Sequence, residues 1–571
     1  MNGADALQRE VRTVLRLSEL KLPLDHPQEA VEAAILQRLR ISADQLISYK
    51  LIKRSIDARR QQRIQLIYSV DVAVQAEPAL LRRHSRNQRI RKAPDRRYRF
   101  ATKAPKGFPS QECERPVVVG AGPCGYFAAL LLAQMGFRPL LLERGQAIKE
   151  RTAATFAFWS GERPLDPESN VQFGEGGAGT FSDGKLYSQV SDPEHYGRKV
   201  LEELVASGAN PEILSVHRAH IGTFKLATVV RGLRARIEQL GGEIRFESRM
   251  DQLLVEPASD QQEFNKPLQV VGVKLADGSI VSSRHVLLAL GHSARDSFAM
   301  LEKAGVCLER KPFAVGFRIE HPQPLIDQAR WGPMAGHPLL GHAEYKLVHH
   351  ASNGRCVYSF CMCPGGLVVG ATSEKDCVVT NGMSQHTRNE RNANSGLVVT
   401  LEPEDLHDYE RWPGDPLAGV ALQRELEQRA FQLGGGGYAA PIQRQQDFLA
   451  RIPSTRLGEV KPSYLPDVKL VDLNQALPAP LIEALREALP AFGRRLSGYN
   501  HPDAVLTAVE TRTSSPVRFP RDDGFESINT RGLIPAGEGA GYAGGILSAG
   551  IDGIRSAEAL ARKLVNDYSP A

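Results

Sequence analysis

Residues 117–145, VVVGAGPCGYFAALLLAQMGFRPLLLERG, constrain the fold more than any other part of the chain. The stretch opens on a short apolar run that is typical of a buried strand. Three glycines in GxGxxG spacing follow it: Gly120, Gly122 and Gly125. A run of helix-forming residues then ends at Gly136, where a helix C-terminus favours glycine, and a second apolar run leads to Glu143. This order predicts a strand, a tight turn, a helix and a second strand, which is the βαβ unit of a dinucleotide-binding fold.

Each residue type in this stretch has a physical role at such a site. The first glycine permits the tight turn, the second lets the backbone approach a pyrophosphate, and the third lets the helix pack on the strand. Pro123 stands at the start of the helix, whose free N–H groups favour a phosphate. Glu143, 23 residues after Gly120, is suited to accept hydrogen bonds from ribose hydroxyls, and Arg144 is assigned to the same site. A glycine-rich turn that binds nothing is the alternative.

Two later stretches favour FAD as the dinucleotide. Residues 286–291 (VLLALG) form an apolar run that ends at Gly291, similar to the strand by which many flavoproteins return to the cofactor. Near the C-terminus, another apolar run ends in Gly537 and Glu538. This resembles the second FAD motif of the glutathione-reductase superfamily, in which an acid after a glycine holds the ribityl chain. A helix is then predicted to begin at Gly544, Gly545 and Ile546, with its positive end toward the flavin.

Residues 174–185 (GEGGAGTFSDGK) form a third glycine-rich loop. Its glycines leave backbone N–H groups exposed, which suits a phosphate or the edge of a flavin. The residues assigned to the cofactor here are Gly176, Gly177, Gly179 and Thr180. The loop is not a P-loop, because GxxxxGK[ST] is absent from it. An ordinary flexible loop is the alternative.

The rest of the chain sets the predicted domain organisation. Short apolar runs alternate with helical stretches from residue 116 onward, which predicts a parallel sheet with crossover helices. We predict an α/β fold in which a Rossmann-like FAD-binding domain carries an inserted α+β substrate domain. The boundaries are 116–305 for the first part of the FAD-binding domain, 306–500 for the insertion and 501–571 for the last part. No second GxGxxG opens a βαβ unit, so a separate NAD(P)H-binding domain is not expected.

Residues 1–100 are predicted to form a small N-terminal module, followed by a polar linker at 101–115. Five segments alternate as strand, helix, strand, strand and helix: Leu15–Leu24, His26–Arg40, Gln45–Asp57, Ile64–Val74 and Pro78–Arg91. This order predicts a ferredoxin-like α/β module. Residues 1–110 hold 23 Lys and Arg against 11 Asp and Glu, a net charge of +12, whereas the rest of the chain carries −6. Such a density of positive charge attracts phosphate backbones and raises RNA as a partner.

Composition and cysteine usage exclude several classes of protein. The apolar fraction of 42% and the charged fraction of 24% are those of a globular chain, not of a disordered or collagen-like one. The seven cysteines include no pair of CxxC motifs and the histidines no metal-ligand spacing, so no metal site is predicted. Reduced thiols and a charged N-terminus predict a cytoplasmic location. The uncharged stretch 116–137 is interpreted as strand, turn and helix, not as a membrane span.

Few residues point to the catalytic step. Residues 510–518 (ETRTSSPVR) precede the last FAD motif, so Arg512 and Arg518 are candidates to bind an anionic substrate or to stabilise reduced flavin. A solvated loop with ion pairs is the alternative. Lys225 is a further candidate. Cys361 and Cys363 suggest a redox dithiol, because residues two apart share one face of a strand, whereas their aromatic neighbours favour an ordinary buried strand.

These motifs together resemble the uncharacterised FAD-dependent dehydrogenase family of bacteria and plastids, which has a glutathione-reductase-like FAD-binding domain. The stretches that carry the resemblance are SIDAR (55–59), GEGGAGTFSDGKL (174–186), HIGTFKL (220–226), GHSARDSF (291–298), KPFAVGFRIEHPQ (311–323), YSFCMCPGG (358–366), TNGMSQ (380–385), ETRTSSPVR (510–518) and GEGAGYAGGILSAGIDG (537–553). The resemblance extends over nearly the whole chain. It implies an N-terminal α/β module, a bound FAD and a domain inserted around the flavin fold, and it implies no particular substrate.

The leading functional hypothesis is an FAD-dependent oxidoreductase in which flavin N5 accepts a hydride from a small-molecule donor. The donor would bind between the FAD domain and residues 310–500. NAD(P)H that docks transiently is one candidate for the donor. A second hypothesis is a flavoprotein that acts on RNA or binds it through the basic module. A third is an FAD-binding scaffold without turnover.

Overall fold

The structure is a computed structural model that describes residues 14–109, 114–188, 190–258 and 266–568. The chain divides into two compact units. The first contains the described residues up to Arg97 together with Asn210–Ala219 and Arg330–Gly341, and the second contains the remainder. Among the helices of the described residues, none combines the length and the apolar character that a membrane crossing requires.

The first unit contains a four-stranded antiparallel sheet and two helices. Its elements in chain order are β1 (Leu15–Pro23), α1 (Ala30–Leu39), β2 (Leu46–Asp57), β3 (Gln65–Val74), α2 (Glu77–Arg83) and β4 (Ile90–Lys92). The strands follow the order β2-β3-β1-β4 across the sheet. β3 alternates between half-buried and buried residues along its whole length, so one face of the sheet packs on the core. Leu17, Ile35 and Val70 are fully buried there.

The second helix of this unit is shorter than the sequence predicted. The prediction extended it over residues 78–91, but α2 ends at Arg83. Asn87 then forms a turn, because its side chain accepts a hydrogen bond from the N–H of Arg89 and its carbonyl oxygen accepts one from Ile90. Ile90 returns to the sheet as the first residue of β4. The helix prediction was wrong because an asparagine side chain offers the backbone an alternative to the helix.

The strands of the rest of the chain are β5 (Val117–Val119), β6 (Leu140–Leu142), β7 (Glu243–Arg245), β8 (Met250–Pro257), β9 (Leu268–Leu275), β10 (Ile280–Ser282), β11 (Val286–Leu288), β12 (Glu309–Arg310), β13 (Phe313–Pro322), β14 (Val348–His350), β15 (Cys356–Gly370), β16 (Thr380–Met383), β17 (Asn392–Leu401), β18 (Ala440–Arg444), β19 (Val468–Leu470), β20 (Val505–Glu510), β21 (Val517–Arg518), β22 (Thr530–Arg531) and β23 (Leu533–Pro535). The helices are α3 (Pro123–Gln134), α4 (Ile148–Trp159), α5 (Tyr196–Ala206), α6 (Thr223–Gln239), α7 (Arg295–Lys303), α8 (Gln323–Trp331), α9 (Ala418–Leu433), α10 (Gln445–Ala450), α11 (Ala479–Arg495) and α12 (Ile546–Tyr568).

The dinucleotide motif lies on a five-stranded parallel sheet. Its strand order is β23-β11-β5-β6-β7, and every neighbouring pair is parallel. All residues of β5, β6, β11 and β23 are buried, as expected for a parallel sheet covered on both faces. α12 packs closely on α3, because a Cβ on its Gly553 would lie 2.3 Å from the carbonyl oxygen of Cys124. The parallel sheet therefore brings the two ends of the second unit's sequence together.

Most of the segment between β12 and β20 forms a second, larger sheet. Its order is β14-β15-β17-β13-β20-β18-β19, with β16 paired to β15. The pairs are antiparallel except for β18 with β19. The predicted boundary at residue 500 precedes β20, which pairs with β13 and β18 in this sheet. The fold is therefore mixed α/β, with a parallel and a large antiparallel sheet in one unit.

Candidate functional site

A cavity of about 260 Å³ lies where the strands of the parallel sheet end. Val119 and Leu142, the last residues of β5 and β6, line it, and so does Ala289, directly after β11. In open parallel sheets, ligands bind outside the carboxyl ends of the strands. The cavity therefore stands at the position where this fold class places a ligand.

Two of the three glycines in the first turn are required by the surrounding backbone. Gly120 has a φ of +105°, and a Cβ there would lie 2.3 Å from the carbonyl oxygen of Ala289. A Cβ on Gly125, inside α3, would lie 1.8 Å from the carbonyl oxygen of Gly120. Gly122 differs, because it lines the cavity and the nearest atom to a Cβ there is 3.9 Å away. The turn is closed on the sheet side and open to the cavity, where Pro123 begins α3.

Glu143, directly after β6, joins two of the glycine-rich segments. Its carboxylate accepts hydrogen bonds from the N–H groups of Ala121 (2.8 Å), Gly145 (2.9 Å) and Gly174 (2.9 Å). The side chain is buried and lines the cavity. A carboxylate offers about four lone-pair positions, so three N–H groups leave one for a ligand. The predicted contact with ribose hydroxyls stays a prediction.

A buried arginine that the sequence analysis missed holds the third glycine-rich loop. Arg151, on α4, is fully buried. Its guanidinium donates to the backbone carbonyl oxygens of five residues: Asn170, Val171, Gly174, Glu175 and Gly177. Burial lowers the pKa of Arg151 to about 10, although Glu143 and Glu175 favour its charge. A single arginine in a helix carries no local pattern that could have announced this role.

The four loop residues assigned to the cofactor divide into two pairs. Gly177 and Gly179 line the cavity. Gly177 lies against the first turn, since a Cβ there would be 2.9 Å from the Cα of Gly122. Gly176 and Thr180 are not among the lining residues and instead face each other, because a Cβ on Gly176 would lie 2.2 Å from Thr180 Oγ1. The loop therefore lines the cavity with Gly177 and Gly179, whereas Gly176 and Thr180 pack against each other within the loop.

The C-terminal glycine-rich segment brings a second helix end to the cavity. Three of its predicted cofactor residues line the cavity: Glu538, Gly545 and Ile546. α12 begins at Ile546, so its free N–H groups and the positive end of its dipole lie at the cavity, as those of α3 do. Glu538 Oε1 lies 3.5 Å from Nδ1 of His292, another lining residue that the sequence analysis missed.

Gly537 and Gly544, the other two predicted residues of this segment, are not among the lining residues. Gly537 has a φ of +74°, and its N–H donates to Oδ2 of Asp552 at 2.7 Å. Asp552, on α12, also accepts a hydrogen bond of 2.6 Å from Arg521. This carboxylate ties the turn to the helix that follows it, and its role was not predicted.

Gly291 and Arg144 both line the cavity, but only Arg144 is bound to other side chains. Gly291 has a φ of +77°, and no atom lies within 4 Å of a Cβ there. Arg144 is fully engaged: it donates to both oxygens of Asp296 and to Glu168, each at 2.9 Å, and lies 4.1 Å from the centre of the Phe173 ring. Arg144 therefore shapes the wall, while Gly291 leaves an open surface.

Side chains from the loop before α5 and from the second sheet complete the wall. They include Lys185, Phe360, Cys361, Asn381, Glu510 and Arg512. Lys185 Nζ donates to the carbonyl oxygen of Met362 and lies 4.0 Å from Glu344. Burial disfavours the charge of Lys185, but Glu344 and Asp183 outweigh it and raise the pKa of this ammonium above its usual value. Lys185 therefore presents a positive charge to the cavity.

Glu510, the last residue of β20, is neutralised by a buried arginine. Arg318, on β13, donates to its two carboxylate oxygens at 2.9 and 3.0 Å, and Thr380 donates to it at 2.9 Å. Arg318 also donates to Asn394 Oδ1 at 2.8 Å. Since Arg318 is fully buried, this pair is a fixed element of the second sheet at the cavity wall.

Arg512, the first catalytic candidate, lines the cavity but is bound to a buried carboxylate. It donates to the two oxygens of Glu427 at 2.9 and 3.2 Å and to Ser373 at 2.6 Å. Arg295 donates to the same carboxylate at 2.6 and 2.9 Å. Burial disfavours the charge of Glu427, but the two guanidinium groups hold its pKa far below the usual range. Arg512 is therefore held in an ion-pair network, because it shares the Glu427 carboxylate with Arg295.

Glu427 also belongs to a cluster of three residues whose spacing is that of metal ligands. Ligand-type atoms of three residues lie within 4.8 Å of one another: Glu374, Cys377 and Glu427. Arg424 donates to Glu374 at 2.8 Å, and Arg295 donates to it at 3.1 Å. The positive charge that these carboxylates need is thus supplied by guanidinium groups, so the arrangement is that of an ion-pair network.

The remaining catalytic candidates differ in their access to the cavity. Lys225 and Arg518 are exposed and are not among the lining residues. Cys361 lines the cavity, and Cys363 is fully buried. The regular alternation assumed for these two cysteines does not hold, because the pairing of β15 with β17 shifts between Phe360 and Cys363. They are nonetheless adjacent, since Cys363 Sγ donates to the carbonyl oxygen of Cys361 at 3.4 Å.

Comparison with known proteins finds a close relative over nearly the whole chain. An uncharacterised protein of Clostridium beijerinckii is 43% identical over 554 residues, which cover 96% of this chain and 99% of that protein. Residues 312–513 match the family described as FAD-dependent protein, C-terminal domain-like. Residues 14–73 match a domain of unknown function (DUF8436).

Two solved structures with a similar fold are far more distant than this relative. The 3-ketosteroid-Δ4-(5α)-dehydrogenase of Rhodococcus jostii RHA1 is 14% identical, with 81% of this chain and 99% of that chain covered and a TM-score of 0.33. A geranylgeranyl bacteriochlorophyll reductase-like protein of Thermoplasma acidophilum is 13% identical, with 80% of this chain and 79% of that chain covered and a TM-score of 0.32.

Proposed function

This chain belongs to the same family as the Clostridium beijerinckii protein, and from that premise we propose that it is an FAD-dependent oxidoreductase. The observation that carries the proposal is the meeting of two helix N-termini, those of α3 and α12, at one cavity at the carboxyl edge of a parallel sheet. FAD has two parts that favour such helix ends, the pyrophosphate and the flavin ring. A single phosphate ligand would need only one of them.

The residues at the cavity fit FAD. Gly122 and Gly177 leave a surface without side chains at the N-terminus of α3, and we assign them, with Pro123, to the pyrophosphate. Glu143, with one lone-pair position free, is assigned to the ribose. The N-terminus of α12, at Ile546, is assigned to the flavin ring. The predicted residues that do not line the cavity are assigned to the packing that holds these surfaces in place.

Bound FAD supplies two-electron chemistry, the exchange of a hydride at N5. The protein supplies binding and charge. Lys185 holds a positive charge at the cavity, which suits an anionic substrate or negative charge that develops during reaction. Glu510 is bound to Arg318, and Arg512 is bound to the carboxylate that it shares with Arg295, so we assign both residues to the shape of the wall and not to proton transfer.

We extend the proposal to the domain organisation and the donor. The parallel sheet is assigned to a Rossmann-like FAD-binding domain and the large antiparallel sheet to an inserted substrate domain. The first unit, with its β-α-β-β-α-β order and strand order β2-β3-β1-β4, is assigned to a ferredoxin-like module. NAD(P)H is proposed as a transient donor, because no second GxGxxG in the sequence opens a βαβ unit that would form a dedicated site for it.

The test compares two glycine variants of the full-length protein. Gly122→Asp places a carboxylate at the proposed pyrophosphate surface, where the backbone (φ −77°) accepts a side chain. Gly437→Asp makes the same change at an exposed position with open space around a Cβ. We expect a flavin absorption spectrum from the wild type and from Gly437→Asp, and at least a tenfold loss of FAD affinity in Gly122→Asp.

The same samples separate the enzyme from the alternatives. Anaerobic addition of NADH or NADPH should bleach the flavin band of the wild type. A flavin that stays oxidised with every donor would favour the scaffold hypothesis and count against turnover. Absence of flavin even after incubation with FAD, in protein with native circular dichroism, would overturn the proposed function.

A further inference from the structure

The cysteine pair on β15 places one thiol at the cavity and a second beside it. Cys361 lines the cavity, whereas Cys363 is fully buried. Cys361 has a φ of +41°, a backbone conformation that residues other than glycine rarely adopt. The thiol of Cys363 lies 3.4 Å from the carbonyl oxygen of Cys361 and within hydrogen-bonding reach of its sulfur. Such strain clusters at functional sites, where the surrounding structure maintains it.

Two cations flank the pair. Arg318 donates to the carbonyl oxygen of Cys361 at 3.3 Å, and Lys185 donates to that of Met362. The hydrogen bond from Cys363, together with Arg318 and Lys185, lowers the pKa of Cys361 to about 6, against the effects of burial and of Glu510. These neighbours favour the thiolate of Cys361, which is the nucleophilic form of cysteine.

The other buried cysteines of the described residues, Cys124 and Cys377, lack this environment. Burial raises the pKa of Cys124 well above its usual value, and it raises that of Cys377 to about 12. Both are therefore neutral thiols that pack as small apolar side chains. The contrast sets Cys361 apart from these two cysteines, whereas the hydrogen bond to Cys361 and burial raise the pKa of Cys363 well above its usual value.

We propose that Cys361 and Cys363 form a dithiol–disulfide couple that exchanges two electrons with the flavin and reduces a disulfide compound. The couple needs a bound flavin and therefore rests on the proposed function. On oxidation, the Cys361 thiolate forms a bond to the sulfur of Cys363, the S–H bond of Cys363 breaks, and that proton and two electrons pass to the flavin. The reverse transfer from reduced flavin restores the thiolate and the thiol.

The reduced pair acts on the substrate by exchange. The Cys361 thiolate attacks one sulfur of the substrate disulfide and releases the first product thiolate. Cys363 then attacks the mixed disulfide, loses its proton and releases the second product. One S–S bond is broken in the substrate and one is formed in the protein, so no further oxidant or reductant is required in this half-reaction.

The first test counts electrons in the FAD-loaded protein. Anaerobic dithionite titration should require four reducing equivalents per FAD in the oxidised wild type, two for the flavin and two for the disulfide. Cys361→Ser should require two, and so should Cys363→Ala, a second variant that guards against a local folding defect. Cys356→Ser, at a half-buried position on the same strand, is the matched control and should require four.

The second test needs no turnover. In wild-type protein treated with ferricyanide, the peptide that contains both cysteines should resist alkylation and weigh two hydrogens less, and dithiothreitol should reverse both effects. Hydroxyethyl disulfide should reoxidise the thiol pair of the reduced wild type and should have no such effect in Cys361→Ser. The disulfide of a small oxidised protein, used in the same way, tests whether larger substrates reach the pair.

The outcomes separate this couple from the proposed function. Protein that binds FAD, accepts only two equivalents and leaves both cysteines open to alkylation would overturn the couple and leave the flavoenzyme intact. Protein that binds no FAD would overturn the flavoenzyme and, with it, the transfer of electrons to the pair.

Discussion

The cavity at the edge of the parallel sheet in the second unit and a basic concavity of the first unit are built in opposite ways. The walls of the cavity are backbone, glycine and apolar side chains, and some of its charges are matched by a buried partner, such as Glu510 with Arg318. The basic concavity is lined by cationic side chains, most of them exposed: Arg16, Arg83, Arg86, Arg89, Arg91 and Lys92. Arg16 pairs with Asp71 at 2.6 Å and Arg89 with Glu19 at 2.8 Å.

This difference determines how strongly the stability of each region depends on individual residues. A buried ion pair that loses one partner leaves an uncompensated charge in a low dielectric, which is costly. An exposed charge is screened by water and salt and contributes little to stability on its own. Single substitutions in the buried ion pairs around the cavity should therefore lower the stability of the protein markedly. In the basic concavity, the effect of a substitution should depend on the total charge that remains.

The largest effect is expected at the centre of the buried network. Glu427→Gln leaves Arg295 and Arg512 without their shared carboxylate and should lower the free energy of unfolding by about 3–5 kcal/mol. Glu425→Gln, two residues earlier on α9 in a half-buried pair with Arg429, is the control and should cost about 0.5 kcal/mol or less. Urea unfolding followed by tryptophan fluorescence measures both. Equal midpoints for the two variants would contradict the comparison.

A smaller effect should appear as a pH dependence. Burial lowers the pKa of His321 from 6.5 to about 4, and Nε2–H of the ring donates a hydrogen bond of 2.6 Å to the carbonyl oxygen of Tyr499. Between pH 6.5 and 4 the unfolded chain binds a proton that the folded chain does not, so stability should fall as the pH falls, by about 3 kcal/mol at most.

His321→Gln tests this assignment because it removes the titrating ring. The variant should lose the corresponding part of the stability change between pH 6.5 and 4 in urea unfolding. His407→Gln, at an exposed position, should keep the wild-type profile. An unaltered profile in His321→Gln would show that other groups carry the acid sensitivity.

The smallest effect on stability is expected in the basic concavity. Arg86→Ala should change the free energy of unfolding by no more than about 0.5 kcal/mol. RNA binding stays a prediction for this module. If a short RNA binds there, the slope of log affinity against log salt should fall by about one in Arg86→Ala and stay unchanged in Arg60→Ala, outside the concavity. A large loss of stability in Arg86→Ala would contradict the comparison.

Local patterns explain why part of the site could be predicted from the sequence. The turn at Gly120 and Gly125, the acid at Glu143 and the start of α12 near Gly545 depend on residues close in sequence and on steric rules that hold in any chain. The mixed α/β fold followed from the same patterns. Which of the assigned residues contact a cofactor stays a prediction.

Long-range pairing explains what the sequence could not provide. Arg318 and Glu510 are 192 residues apart, and Arg295 and Glu427 are 132 apart, so no window of sequence contains both partners. The sequence also does not reveal which side chains are exposed, and for this reason Lys225 was as good a candidate as Arg512. The pairing of Arg151 with backbone carbonyls leaves no compositional trace at all.

The hold of Arg151 on residues 170–177 has a consequence for kinetics. Ordering a backbone residue costs about 1–2 kcal/mol of conformational entropy. Because a protein side chain orders this loop, the cost falls on folding and not on the capture of a ligand. We therefore expect the on-rate of the cofactor to be limited by diffusion and orientation, without a slow loop-closing phase. Arg151, through its hydrogen bonds to these carbonyl oxygens, thus helps to determine the rate at which the cofactor-free protein binds its cofactor.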